Sequence, residues 1–208
     1  MRKLVKRVVI CYLACLVIWC VALVKDRETL NRELIRFHVV ANSDSAYDQQ
    51  MKLQVRDAVL ADMEEDLRHA CDKENAEDYI RQNLPKIQSL VDSVLQEYGY
   101  DCEAVVSYCR EAFPVREYDT FSLPAGVYDT LRITLGSGEG HNWWCVSFPT
   151  LCMGATADAF EDIAVSSGFG KTLTNALTRA DGYQIRFYLL DKIGQLQNVI
   201  FTRIDCEK

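Results

Sequence analysis

Hydrophobic and polar positions change rhythm several times along the chain. Val8 to Val24 is an unbroken apolar run, preceded by Arg2, Lys3, Lys6 and Arg7 and closed by Lys25. As a helix these 17 residues rise about 25 Å, enough to cross a bilayer core. Four cations ahead of an apolar run at the extreme terminus fit an export signal or membrane anchor, not a buried core helix. Cys20-Val21-Ala22 is a mediocre small-residue cleavage site. The reading is an uncleaved anchor or slowly cleaved signal over residues 1–25, with the bulk of the protein outside the cytoplasm.

Leu34 to Ala41, rich in β-branched and aromatic residues, predicts a strand. Asn42-Ser43-Asp44-Ser45 then suits a turn, and Ser45-x-x-Asp48 has capping-box spacing, so a helix is expected from Ala46. Val55, Val59, Leu60, Met63 and Leu67 recur at helical spacing. A second helix follows Asn75, with Ile80, Leu84, Ile87, Val91, Leu95 and Tyr98 on one stripe, Pro85 as a kink or break, and Gly99 as its stop.

Beyond Gly99 the period becomes two. Ala104, Val106 and Tyr108 alternate with more polar neighbours, and Val115–Phe121, Tyr128–Leu135 and Trp143–Phe148 read as extended. Gly136 to Gly140 is expected to be a flexible hairpin loop. The fold class is therefore α+β: an N-terminal export helix, a strand, two antiparallel helices and a small, mainly antiparallel sheet. Three parts are expected, namely 1–25, an extracytoplasmic domain over 26–152, and a linker with a C-terminal segment over 153–208. Residues 153–172 look like a surface connection, and Tyr183–Phe201 is apolar enough to dock on the core.

Charge narrows the partners. Without residues 1–25 the chain has 18 Lys and Arg against 30 Asp and Glu, a net −12. Such a domain binds neither nucleic acid nor an anionic membrane by charge, so membrane contact rests on residues 8–24. Three of the nine Cys lie in the apolar run, leaving Cys71, Cys102, Cys109, Cys145, Cys152 and Cys206. An exported domain permits disulfides among them, in fifteen alternative connectivities.

Candidate chemistry concentrates in GHNWWCVSFPTLC, residues 140–152. His141, Cys145 and Cys152 fit no standard zinc spacing and lack a fourth ligand. No Cys-x-x-Cys exists, which argues against a dithiol redox site. A disulfide between Cys145 and Cys152, or of either with a Cys elsewhere, is a better reading than a catalytic thiol, with reduced, buried cysteines as the alternative. A Cys145–His141 nucleophile pair has no identified orienting group. His38 reads as a satisfied core residue and His69 as a helix-end cation. Gly170-Lys171-Thr172 lacks the upstream Gly of a phosphate loop, Val165 standing there. Gly136-x-Gly-x-Gly140 leads into a strand, not the helix a pyrophosphate needs. Asp44 and Asp48 read as caps. Adjacent Trp143 and Trp144 point to opposite faces of a strand, so one can fill the core while the other faces outward as a contact, the alternative being that the C-terminal segment covers both rings.

Two blocks together, IRFHVVANSDSAYDQQMKLQVRDAVL (35–60) and LPAGVYDTLRITLGSGEGHNWWCVSFPTLC (123–152), resemble the stage II sporulation protein R family of endospore-forming bacteria. The matching positions are Ala41 to Ser45, Asp48-Gln49, Arg56-Asp57, Pro124 to Gly126 with Tyr128, and Gly136 to Cys152. Thr150 departs from the family's usual Pro, and residues 153–208 match no motif of it. The resemblance implies an exported, non-enzymatic signalling protein, without cofactor or metal. It would leave the forespore for the space between the two sporulation membranes, where a mother-cell membrane protease would be its partner and pro-sigma E cleavage its output. Candidate contact residues are His141, Asn142, Trp143, Trp144 and Phe148, with Asn42, Ser43 and Asp44 as a second surface. The rivals are an extracytoplasmic hydrolase using Cys145 and His141, and a scaffold for another membrane protein.

Overall fold

The computed structural model describes residues 1–118, 121–149, 174, 177 and 205–207. The order is α1 (Arg2–Glu33), β1 (Ile35–Val40), α2 (Ala46–His69), α3 (Lys73–Glu97), β2 (Ala104–Phe113), β3 (Arg116–Glu117), β4 (Ser122–Leu123), β5 (Gly126–Leu135), β6 (Asn142–Phe148) and β7 (Asp205–Glu207). This is the expected α+β arrangement. Helix α1 is long and apolar enough to cross a membrane. It extends past Lys25 and enters the domain, where Leu30 and Leu34 are fully buried.

Five strands form one sheet in the order β6-β1-β5-β2-β7. β1 runs parallel to β5 and antiparallel to β6, and β2 is antiparallel to both β5 and β7. The expected hairpin between β5 and β6 does not exist. Those strands are not neighbours, because β1 lies between them, so residues 136–141 must cross the end of β1. Within Val115–Phe121, the described residues include the two-residue strand β3, which pairs with β4, while residues 119 and 120 lie outside the described residues.

Alternation along β1 divides the core. Phe37 and Val39, with Val106, Tyr108, Leu131 and Ile133, pack against Met51, Val55, Val59, Ile80, Ile87 and Val91 of the two helices. The helical stripe was the legible half of this contact. Helix α3 passes through Pro85 without the predicted break. Ile80 on one side of the proline and Ile87 and Val91 on the other are all fully buried, so tertiary packing supports helix on both sides of it. The helix stops where Gly99 takes φ 60° and Tyr100 N–H returns to the Leu95 carbonyl at 2.8 Å.

A second cluster lies around Leu30, Leu34, Phe113, Phe121, Leu123, Tyr128 and Val146. It ties the end of α1 to the start of the sheet, helped by Lys73, whose Nζ donates to the Asn31 carbonyl at 3.3 Å and to Asp129 at 2.5 Å. Leu177 joins this cluster, and β7 pairs with β2. Residues 153–172, including Gly170-Lys171-Thr172, and the Tyr183–Phe201 segment lie outside the described residues, as does Cys152.

Candidate functional site

The C-terminal end of β1 carries the densest polar construction in the domain. Ser45 caps α2, its Oγ accepting from the Asp48 N–H at 3.1 Å. Asp48 does not complete the expected reciprocal box. Its carboxylate turns inward and accepts from Ser43 Oγ at 2.5 Å, Tyr100 Oη at 2.7 Å and Asn42 Nδ2 at 3.1 Å. Those bonds, that from Ser43 foremost and then Tyr100, hold its pKa below the ordinary carboxylate value. One buried carboxylate thus fixes the turn before α2 to the segment after α3.

Asn42 faces the other way as well. Its side-chain carbonyl accepts from Ser137 N–H at 2.9 Å, and its main-chain carbonyl accepts from Ser137 Oγ at 2.9 Å and Glu139 N–H at 3.2 Å. Gly140 N–H donates to the Ala41 carbonyl at 2.9 Å. Asp44, expected as a cap and as part of the second contact surface, accepts from His141 N–H at 2.6 Å and pairs with His141 Nδ1 through the same oxygen. The backbone bond first, then the side-chain bond, depresses the Asp44 pKa. Lys52 Nζ closes the clamp by donating to the His141 carbonyl at 3.0 Å and to Gln49 at 2.6 Å.

Glycine is required where the two loops touch. A Cβ on Gly140 would run into the Ser43 carbonyl and crowd Ala41. Gly136 has φ 54°, and a Cβ there would strike Asn42 Oδ1 and the Cys102 thiol. The glycines expected to confer flexibility instead permit close approach, and the Gly136–Gly140 loop is bound along most of its length.

Asn42, Ser43 and Asp44 therefore form one face with His141 and Asn142, although about 95 residues separate them in sequence. His141, Asn142 and Asp44 are exposed, and Asn42 and Ser43 half-buried. The two indoles do point to opposite sides of the sheet, but neither lies open. Trp143 packs edge-on to Phe37, its centroid 5.7 Å away, with the Arg56 guanidinium 5.0 Å from its ring. Trp144 stacks on His38 at 4.0 Å and carries Arg116 at 4.5 Å. Each indole has a cation over it, which removes the free outward ring expected from alternation alone. Phe148 is 6% exposed and belongs to the helix-side core, not to an accessible face.

Cys145 is buried and disulfide-bonded. Its suggested partner, Cys152, is not among the described residues. His38 is fully buried, with Nδ1 2.9 Å from Glu111 Oε2, while the second Glu111 oxygen accepts from Arg132 at 2.8 Å. Sequence reading missed this charged layer and Arg36 beside it. The available signal was two ionisable residues at alternate positions of an otherwise apolar strand. Among the described residues, no group of three or more His, Cys, Asp or Glu could hold a metal.

Comparison with known proteins places this geometry. The family model described as stage II sporulation protein R matches residues 31–158. The chain is 31% identical over 183 residues to the stage II sporulation protein R of Bacillus subtilis (strain 168), covering 79% of this chain and 81% of that protein. No solved structure matches it.

Proposed function

We propose, from the premise that the chain belongs to the stage II sporulation protein R family, that it is an exported signalling protein working by contact. Its partner is the membrane-embedded mother-cell protease that cleaves pro-sigma E, and its place of action is the space between the sporulation membranes. The contact face is the composite of Asn42–Asp44 with His141 and Asn142. The single observation that carries this reading is the clamping of two sequence-distant blocks into one accessible, preorganised surface by bonds from Asn42, Asp44 and Lys52. A rigid polar face loses little conformational entropy on docking, which suits recognition. The apolar helix α1 is compatible with export or anchoring.

The hydrolase rival is weakened by the state of Cys145, whose sulfur is in a disulfide; Asp44 on His141 Nδ1 is an orienting contact and does not count against it. A thiolate nucleophile requires a free, accessible sulfur. Cys145→Ser and His141→Ala separate the readings. The hydrolase reading needs both to abolish signalling in well-folded protein; the contact reading needs only the His141 change to impair it. The scaffold rival requires that the domain supplied without residues 1–25 cannot trigger pro-sigma E cleavage, whereas the contact reading predicts that it can.

A further inference from the structure

The sheet order narrows the cysteine pairings that the sequence left open. β7 runs antiparallel along β2 in a register that sets Cys206 directly opposite Cys109. Residues opposite each other in such a pair lie about 4.5–5.5 Å apart at Cα and share one face of the sheet. A disulfide needs Cα atoms about 4.4–6.8 Å apart, so this backbone placement suits one without moving either strand. Cys109 is a thiol in this structure and is buried. Its neighbour Tyr108 joins the helix-side core, so alternation puts Cys109 on the face turned away from the helices.

The described competitors for Cys206 are badly placed. Cys145 is in β6, at the opposite edge of the sheet from β7, with three strands between them. At about 4.8 Å per strand the two are about 19 Å apart, so the disulfide of Cys145 goes elsewhere. Cys102 lies before β2 begins, outside its register with β7. Cys71 belongs to the turn between α2 and α3, on the other side of the sheet.

The fold also gains from a bond here. Only three residue pairs hold β7 to β2, a short ladder for a strand that must stay docked. Cys109 and Cys206 are 97 positions apart, and a cross-link closing so long a loop removes much freedom from the unfolded chain. The disulfide at Cys145 already suits the chain to an oxidising compartment.

We propose that Cys109 and Cys206 form a cross-strand disulfide that fastens β7 to β2. The co-reactant is an exported disulfide oxidoreductase in its oxidised state. The Cys206 thiolate attacks one sulfur of that enzyme's disulfide, forming a mixed disulfide and releasing one enzyme thiolate. The Cys109 thiolate then attacks the Cys206 sulfur and expels the second enzyme thiolate. Both thiol protons pass to the oxidant, which leaves reduced by two electrons. Because docked Cys109 is buried, the exchange precedes the docking of β7. The bond is independent of the contact-face reading.

For the test, the full chain is recovered in detergent micelles after export. It is equilibrated with oxidised and reduced glutathione until denatured samples show no N-ethylmaleimide on Cys145. All remaining thiols are then blocked with that reagent, and trypsin cuts the denatured chain without reductant. Mass spectrometry should find peptide Ile87–Arg110 joined to Ile204–Lys208, with Cys102 blocked and the link at Cys109. Reductant should part the two peptides, and Cys206→Ser should turn Cys109 from unlabelled to labelled. Maleimide or glutathione on both Cys109 and Cys206 of the unmutated chain would overturn the bond. So would Cys206 joined to Cys102, Cys145 or Cys152, or a Cys109 that stays unlabelled in the Cys206→Ser chain.

Discussion

The two ends of β1 are secured by opposite kinds of chemistry. At its start, Leu30 of α1 and Leu34 just after it are buried with Phe113, Tyr128 and Val146, an apolar joint reinforced by the Lys73–Asp129 pair. At its finish, six residues later, Asn42, Asp44 and Asp48 hold the chain through directional bonds. Apolar burial is strong and tolerant of small displacements; hydrogen bonds contribute less each but fix geometry. The strand is thus held in place at one end and presented at the other. Changes at the start should therefore cost stability, as should changes at the buried Asp48 and Gly140 of the finish, whereas changes at its exposed His141 and Asn142 should disturb signalling ahead of stability.

The largest expected stability loss is at the apolar joint. Leu34→Ala removes a fully buried side chain and should cost about 2–5 kcal/mol in denaturant unfolding of the full chain in micelles. A loss under about 1 kcal/mol would mean the joint is not a core. Asp48→Ala deletes three hydrogen bonds to a buried carboxylate and should cost about 3 kcal/mol. Gly140→Ala should cost about 2 kcal/mol, because Ser43 backbone must shift, and should lower pro-sigma E cleavage more than its stability loss explains. Wild-type thermal stability after Gly140→Ala would break the comparison, since the loops would then not be in contact.

Acid sharpens the contrast. Asp44 and Asp48 have depressed folded-state pKa values, so their contribution is fully present above the unfolded carboxylate value of about 4 and is lost as pH falls through the folded values. The stability gap between wild type and Asp48→Ala should stay constant from pH 7 to about 5 and shrink below about pH 4. The gap to Leu34→Ala should show no such closure. The smallest stability effect belongs to the exposed rim, where Asn142→Ala should change unfolding by less than about 0.5 kcal/mol.

How much of this was legible in the sequence follows the same division. Apolar periodicity located α1, β1, α2 and α3, and alternation located β2, β5 and β6, because burial at 3.6 or 2.0 spacing leaves a local trace. Strand order leaves no such trace. Nothing local says that β1 inserts between β5 and β6, so Gly136–Gly140 read as a hairpin when it is a crossing loop clamped to Asn42. Pro85 read as a kink or break, and α3 runs through it unbroken because the burial of Ile80, Ile87 and Val91 that supports helix on both sides is tertiary. The site residues Asn42, Ser43, Asp44, His141 and Asn142 were visible as two motifs, but their union was not. Trp143 and Trp144 alternate as expected, yet the guanidiniums of Arg56 and Arg116 over their rings come from remote parts of the chain.

The most direct test of the composite face is cleavage of pro-sigma E by its protease in the presence of the His141→Ala, Asn142→Ala double variant. Both positions are exposed, so the variant should unfold with the wild-type profile. The account predicts that cleavage falls at least about tenfold at unchanged stability. Cleavage at the wild-type rate by a correctly folded double variant would contradict it.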